Sequence, residues 1–360
     1  MNQFQVDKQN INTIRIAEAD NERNTTACVT FDVERFAFTA NNLTYFMVGE
    51  KLGYWQFFPP VDAPADTPWG VIPVWGIGKV THSTLDDVKV GSRYFGYFPP
   101  ATTLTMSNAK VSDKNLIDCS SHRLPLPQGY NLYRLLPASN GKPDSSQHYQ
   151  DNLQMLLWPL FITSYCLWEA VSAIDVAQRE QVVIVSASSK TSLGLAFALK
   201  EKGVSTTGVT SRKNMDMVKR VDVYDEVISY DDLASLPMVP SVVVDMSGSA
   251  KVKEALTEYI GQQNMRYIQV GLTHWHDVTD EEQTDNTFFF APAHIQQRVA
   301  EIGAAEFSKQ SSAFIFKAIT WSNAWLKVEE CSGLEALADD FAQHCGGNIP
   351  ANIGRVYTLG

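Results

Sequence analysis

The sequence predicts an α/β protein of two domains, a β-rich domain followed by a doubly wound parallel-sheet domain, and three observations carry that expectation. The chain has 360 residues, enough for two separate cores. Its first third alternates short β-branched and aromatic runs with Gly and Pro punctuation. From Gln181 onward, short apolar runs alternate with segments of helical period, the pattern of βαβ units around a parallel sheet.

In the first domain the runs are Ala27-Cys-Val-Thr-Phe, Tyr45-Phe-Met-Val-Gly, Gly70 to Val80 and Gly91-Ser-Arg-Tyr-Phe-Gly-Tyr-Phe, read as short strands. Pro137 to Asp151 is polar and turn-rich, so it reads as a surface loop near a domain boundary. Leu153 to Ile174 then carries apolar residues at helical spacing. In the second domain, strands are expected at Val182–Val185, Thr206–Thr210, Glu226–Ile228, Val242–Met246 and Tyr267–Val270. Helices are expected between them at Ser192–Glu201, Asn214–Val221 and Lys251–Ile260. The tail changes character again, with a helix near Leu334–His344 and a strand-like Gly354-Arg-Val-Tyr-Thr-Leu that returns to the first domain. The expected division is 1–151 completed by 325–360, and 152–324.

Bulk properties narrow the function. Hydrophobic residues at 44% and charged residues at 19% leave no room for a long disordered tail. A net charge of -11, with no local Lys/Arg run against it, excludes phosphate backbones and anionic lipid surfaces as partners. The N-terminus lacks the apolar core of a signal peptide, and no stretch reaches the length needed to span a bilayer, so a cytoplasmic protein is expected. Five scattered cysteines without a C-x-x-C pair argue against a disulfide framework and a four-cysteine zinc site.

The chemistry concentrates after the first strand of the second domain. Val182-Val-Ile-Val-Ser-Ala-Ser-Ser-Lys-Thr-Ser-Leu-Gly reads as a buried strand, a loop of small polar residues and a helix. Such a turn aims backbone N–H groups at one point, which suits a pyrophosphate held by Ser188, Ser189, Lys190 and Thr191. The usual G-x-G-x-x-G is absent, and only Gly194 remains, at the expected close approach of helix to sheet. The second strand ends in Gly208-Val-Thr-Ser-Arg-Lys. Ser211, Arg212 and Lys213 there offer a hydroxyl and two cations suited to the 2′-phosphate of NADP, where an acidic residue would select NAD. The alternative is a solvated charge pair at a helix start.

The run from Gly208 to Leu233, with its Ser211-Arg212 pair and Glu226-Val-Ile-Ser-Tyr230, resembles the zinc-free quinone oxidoreductase branch of the medium-chain dehydrogenase/reductase superfamily. Val243-Val-Asp-Met-Ser-Gly-Ser resembles the fourth strand and its glycine turn, and Ile268-Gln-Val-Gly-Leu the fifth. The resemblance implies a GroES-like β-rich catalytic domain and a Rossmann domain that binds NADP(H). It places Tyr230 near the adenine and Gly248 and Gly271 near the nicotinamide half. Asn41-Asn-Leu-Thr-Tyr resembles the segment that approaches the nicotinamide, and Leu160 to Ala170 the helix opening the cofactor domain, with Thr163 placing the carboxamide.

Where zinc members carry Gly-His-Glu this chain reads Pro73-Val-Trp-Gly, so no catalytic zinc is expected. His274-Trp-His276 with Asp277 reads as a polar loop in preference to a metal site. Without a metal, reduction of a conjugated carbonyl needs a hydride donor and a group that stabilises the developing enolate. Asn42 and Tyr45 are the catalytic candidates; the alternative makes them a turn residue and a core aromatic. The leading expectation is an NADPH-dependent reductase of enones, quinones or enoyl thioesters, a homodimer acting on a small apolar carbonyl or quinone. The other is a non-catalytic NADP(H)-binding sensor or interaction protein on the same fold. The aromatics of Tyr54-Trp-Gln-Phe-Phe and Trp69 suit an apolar ligand pocket under either.

Overall fold

In the computed structural model, which describes residues 1–19, 28–64, 66–113, 115–137, 145–270 and 288–359, the chain opens on a hairpin that periodicity does not announce. Its strands are β1 (Asn2–Asp7) and β2 (Asn10–Glu18), and most of β2 is solvated, so its pattern carries little apolar signal. β3 (Val29–Phe38) buries Phe31, Val33, Phe36 and Phe38 and exposes Asp32, the alternation of a strand with one face on a core.

Tyr45-Phe-Met-Val-Gly, expected as a strand, lies instead at the end of α1 (Ala40–Met47). The reason is the start of the helix. Thr39 accepts from the Asn41 N–H, and the Asn42 side chain accepts from the Thr39 N–H at 2.8 Å, a reciprocal cap that outweighs the β propensity of the aromatic run. Then come β4 (Trp69–Gly70), β5 (Val74–Ser83), β6 (Arg93–Phe98), β7 (Thr103–Met106), β8 (Ala109–Ser112), β9 (Asn115–Asp118) and β10 (Leu132–Leu135). β6 is buried along its whole length, and Gly96 is required there because a Cβ would fall on the Tyr133 ring.

α2 (Ser145–Ser172) corrects two expectations. It begins inside the segment read as a loop, because its polar first turns are paired: Asp151 takes Arg93 at 2.8 Å, and Asn152 donates to Glu330 at 2.7 Å. Its 28 residues are also long and apolar enough to cross a membrane by length and composition, contrary to the reading that no stretch is; the helix is mostly buried within the protein.

The chain divides into two compact units, Met1–Leu156 with Lys327–Gly360, and Leu157–Leu326, so the division falls within α2. In the second unit follow β11 (Gln181–Val185), α3 (Lys190–Lys200), β12 (Thr206–Thr210), α4 (Arg212–Val221), β13 (Glu226–Ser229), β14 (Ser241–Asp245), α5 (Ala250–Ile260) and β15 (Met265–Gln269). Among the described residues these strands form a five-stranded parallel sheet in the order β13-β12-β11-β14-β15. Val183, Val185, Val209, Ile228 and Val243 pack with Leu256 and Ile260 beneath one face. The strand order reverses between β11 and β14, and in open α/β sheets ligands bind beyond the strand ends at such a reversal.

Two helices with no counterpart in the sequence reading close the unit, α6 (Ala291–Ile302) and α7 (Ala304–Ser322). The tail supplies β16 (Lys327–Ser332), α8 (Gly333–Cys345) and β17 (Ile353–Thr358). β17 pairs antiparallel with β3 and parallel with β16, which extends the first unit's main sheet, ordered β16-β17-β3-β5-β6-β10-β9-β8 with β7 also on β3. A separate small sheet runs β2-β1-β4.

Candidate functional site

In the second unit, the carboxyl ends of β11, β12, β13 and β14 carry most of the sequence-predicted residues. The loop after β11 is Ser186 to Ser189, and Ser186 holds φ of 63°, a left-handed conformation that a glycine adopts without cost. Ala187 is pinned on both sides: its N–H donates to the Val209 carbonyl at 2.9 Å and its carbonyl accepts from the Tyr224 hydroxyl at 2.9 Å. Space for it comes from the neighbouring strand, since a Cβ on Gly208 would lie 2.9 Å from the Ala187 methyl. The glycine missing from the loop is thus offset by a glycine beneath it.

Ser188 accepts from Asn214 Nδ2 at 3.0 Å, which ties the loop to α4. Ser189 caps α3, accepting from the Ser192 N–H at 3.1 Å. Lys190 and Thr191 open that helix, and burial pushes the half-buried Lys190 ammonium down to about 8. Gly194 makes its nearest approach to α2, where a Cβ would lie 2.7 Å from Phe161 Cδ1 and from Ser164 Oγ. Ser164 also donates to the Thr191 carbonyl at 2.8 Å. One position earlier, Thr163 donates to the Pro159 carbonyl at 3.3 Å, so its hydroxyl is oriented within α2.

At the end of β12, Ser211 occupies the N-cap of α4 without using its side chain for capping, and Arg212 and Lys213 are the first two residues of that helix. Two cations at the positive end of a helix dipole repel it; an anion belongs there. Arg212 Nε instead meets Asp231 Oδ2 at 2.7 Å. Tyr230, beside Asp231, directs its hydroxyl to Ser186, and burial outweighs that bond to raise the phenol.

Beyond β14 the loop to Gly248 is organised by Asp245, which the sequence reading passed over. This buried carboxylate accepts from the Ser247 N–H at 2.6 Å, Ser247 Oγ at 2.7 Å, the Gly248 N–H at 3.2 Å and the Tyr267 hydroxyl at 2.5 Å. Gly248 has φ of 64°, which the turn requires. An acid closing an otherwise apolar strand, Val242-Val-Val-Asp, was the available signal. Gly271 and the His274-Trp-His276 segment lie outside the described residues. Among the described residues no three His, Cys, Asp or Glu side chains are grouped to hold a metal ion.

Asn42 and Tyr45 belong to the first unit. The Asn42 amide is fully engaged, accepting from Thr39 and donating from Nδ2 to the Pro73 carbonyl at 2.8 Å. The Tyr45 hydroxyl accepts from Asn41 Nδ2 at 2.7 Å and from Trp75 Nε1 at 3.3 Å. Burial raises its pKa, while the bonds from Trp75 and Asn41 and the nearby hydroxyls of Tyr97 and Tyr130 act to lower it. Its ring packs on Tyr54, Tyr97 and Tyr130, with centroids 4.6, 5.6 and 6.4 Å away.

Comparison with solved structures shows the fold. CurA from Vibrio vulnificus in complex with NADPH superposes with a TM-score of 0.64 at 12% identity, covering 100% of this chain and 99% of that one. The CurF ER cyclopropanase from the curacin A biosynthetic pathway gives 0.61 at 12%, covering 100% and 99%. The yhdH oxidoreductase from Salmonella enterica in complex with NADP gives 0.54 at 12%, covering 100% of both. At this identity the likeness is one of fold, that of the medium-chain dehydrogenase/reductases. No curated protein matches the chain in sequence. Residues 36–350 match the model of one protein family, and the chain therefore belongs to the family described as protein of unknown function (DUF2855).

Proposed function

We propose that this protein is an NADPH-dependent, zinc-independent reductase that delivers hydride to a conjugated carbonyl, an enone, quinone or enoyl thioester. The observation that carries the reading is the Ser211-Arg212-Lys213 start of α4, where an unspent hydroxyl and two cations stand at the positive end of a helix dipole. The 2′-phosphate of NADPH satisfies that arrangement, and the 2′-hydroxyl of NADH does not. Solved structures of this fold in complex with NADPH or NADP support the choice.

The residues fit the cofactor. The cradle made by Gly208 under the Ser186–Ser189 loop brings backbone N–H groups and Lys190 to a pyrophosphate, with Tyr230 toward the adenine. Thr163 and the Asp245-braced turn at Gly248 would hold the nicotinamide half. When bound, NADPH supplies the hydride. Tyr45 serves as donor to the substrate carbonyl, because Asn41 and Trp75 both donate to its oxygen and ease the build-up of charge there. Asn42, its amide spent on the helix cap and Pro73, positions Tyr45 and does not touch substrate. The same reading has a homodimer acting in the cytoplasm on a small apolar molecule.

The test is loss of NADPH absorbance with a panel of quinones, enones and enoyl thioesters. Turnover with at least one class is expected and should fall in Tyr45→Phe. NADPH binding without turnover on any class would favour the second reading, a non-catalytic NADP(H)-binding protein, which the full engagement of Asn42 also supports.

A further inference from the structure

In the second unit, Tyr224 lies in the turn between α4 and β13 and reaches the loop that follows β11. It is 6% exposed, and its hydroxyl donates to the carbonyl of the buried Ala187 at 2.9 Å. Its ring lies against Gly208, where a Cβ would fall 2.9 Å from both Tyr224 Cδ1 and the Ala187 methyl. The turn that carries it is anchored to the start of β12: the Asp225 N–H donates to the Thr206 carbonyl at 3.0 Å, and Asp225 Oδ2 accepts from the Thr206 N–H at 2.8 Å.

A trans peptide holds the carbonyl of one residue and the N–H of the next on opposite sides of the chain. With the Ala187 carbonyl turned onto Tyr224, the Ser188 N–H is turned away from it, and among the described residues that N–H donates to no carbonyl or side chain. The N–H groups on either side are committed: that of Ala187 donates to the Val209 carbonyl at 2.9 Å, and that of Ser189 to the Ser186 carbonyl at 2.8 Å. Ser188 itself is half-buried.

The orientation of that peptide decides what the loop offers an anion. Rotating the Ala187–Ser188 peptide takes only paired changes of Ala187 ψ and Ser188 φ, and would put a carbonyl oxygen where the N–H now points. The Tyr224 hydroxyl opposes the rotation, because a buried carbonyl that loses its donor is costly. A glycine-rich loop presents its N–H groups through backbone freedom. Here a hydroxyl from the neighbouring turn fixes the same outcome.

We propose that Tyr224 is the positioning residue of the phosphate loop: its hydroxyl holds the Ala187–Ser188 peptide so that the Ser188 N–H meets the pyrophosphate of the bound nucleotide. Tyr224 acts through Ala187 and does not touch the ligand. The inference rests on the reading of this loop as part of a dinucleotide site, and it explains how the loop binds phosphate without the usual glycines.

The test titrates the full-length protein with NADPH, with inorganic pyrophosphate and with adenosine 2′-monophosphate, which carries the 2′-phosphate without the pyrophosphate. Tyr224→Phe keeps the ring against Gly208 and removes only the hydroxyl. It should weaken NADPH and pyrophosphate binding roughly 10- to 150-fold, the range for one hydrogen bond to a charged group. Adenosine 2′-monophosphate, which meets Ser211, Arg212 and Lys213, should bind the variant and the wild type alike. Hydrogen exchange on the wild type reads the amide without any variant: NADPH and pyrophosphate should protect the Ser188 N–H, and adenosine 2′-monophosphate should not. Equal NADPH affinity in Tyr224→Phe and wild type, an equal loss for every probe, or a Ser188 amide that neither NADPH nor pyrophosphate protects overturns the proposal. Failure of the NADPH reading would look different: pyrophosphate would bind, protect Ser188 and depend on Tyr224, while NADPH would not bind.

Discussion

Arg212 Nε donates to Asp231 Oδ2 at 2.7 Å, linking the first residue of α4 to the turn after β13. Both side chains are largely in solvent, 70% and 66% exposed, so the pair is easily exchanged for a better anion. Asp231 therefore competes with the 2′-phosphate for the same guanidinium. Asp231→Asn should tighten NADPH binding, and Arg212→Ala should weaken it roughly tenfold or more, since a guanidinium bonds two phosphate oxygens. Neither change should move the affinity for NADH. Calorimetry at fixed salt reads both; equal loss of NADH and NADPH affinity in Arg212→Ala would show that Arg212 does not meet the 2′-phosphate.

Ser186, at φ of 63°, stands where a glycine is unstrained. Its hydroxyl is also met by Tyr230, so two replacements are needed to separate strain from bonding. Both Ser186→Ala and Ser186→Gly lose the hydroxyl, but only the glycine relieves the backbone. The glycine variant should be more stable than the alanine variant by ~1 kcal/mol in urea unfolding. Equal midpoints would mean that the loop relaxes out of the left-handed region.

Lys190 gives the binding a pH dependence of definite sign. In the free protein its ammonium loses a proton near 8, and a bound phosphate favours the charged form and raises that value. Binding then takes up a proton, so NADPH affinity should be flat below about pH 8 and fall above it. Lys190→Met should bind less tightly and lose this dependence. Affinity that rises with pH in the wild type would assign Lys190 another role.

Tyr267 holds the Asp245 carboxylate at 2.5 Å behind the Gly248 turn. Tyr267→Phe removes a donor from a buried charge, and a hydrogen bond to a charged group is worth about 1.5–3 kcal/mol. A lower melting temperature is expected, together with weaker NADPH binding because the turn loosens. A variant as stable as the wild type would show that the two backbone N–H groups and Ser247 satisfy Asp245 alone.

Much of the second unit could be read from the chain because its determinants are local. Apolar runs of strand length, the small-residue loop at Ser186–Ser189 and the cations after Ser211 all lie within a few residues of the elements they specify. The misreadings fall where distant partners decide. Polar Asp151 and Asn152 are helical and buried because Arg93 and Glu330 pair with them, and nothing near Asn152 announces a partner 178 positions away. Tyr45-Phe-Met-Val-Gly fits strand or helix by composition, and the cap formed by Thr39 and Asn42 resolves it. The grouping of Tyr45, Tyr97 and Tyr130 was illegible for the same reason: they are scattered in sequence and meet only in the fold.

The measurement that bears most directly on the account is a parallel titration of the wild-type protein with NADPH and NADH at one salt concentration and pH 7. The account predicts saturable binding of NADPH with NADH weaker by roughly tenfold or more, the value of the charge-assisted contacts at Ser211, Arg212 and Lys213. Binding of neither nucleotide, or a preference for NADH, would contradict it.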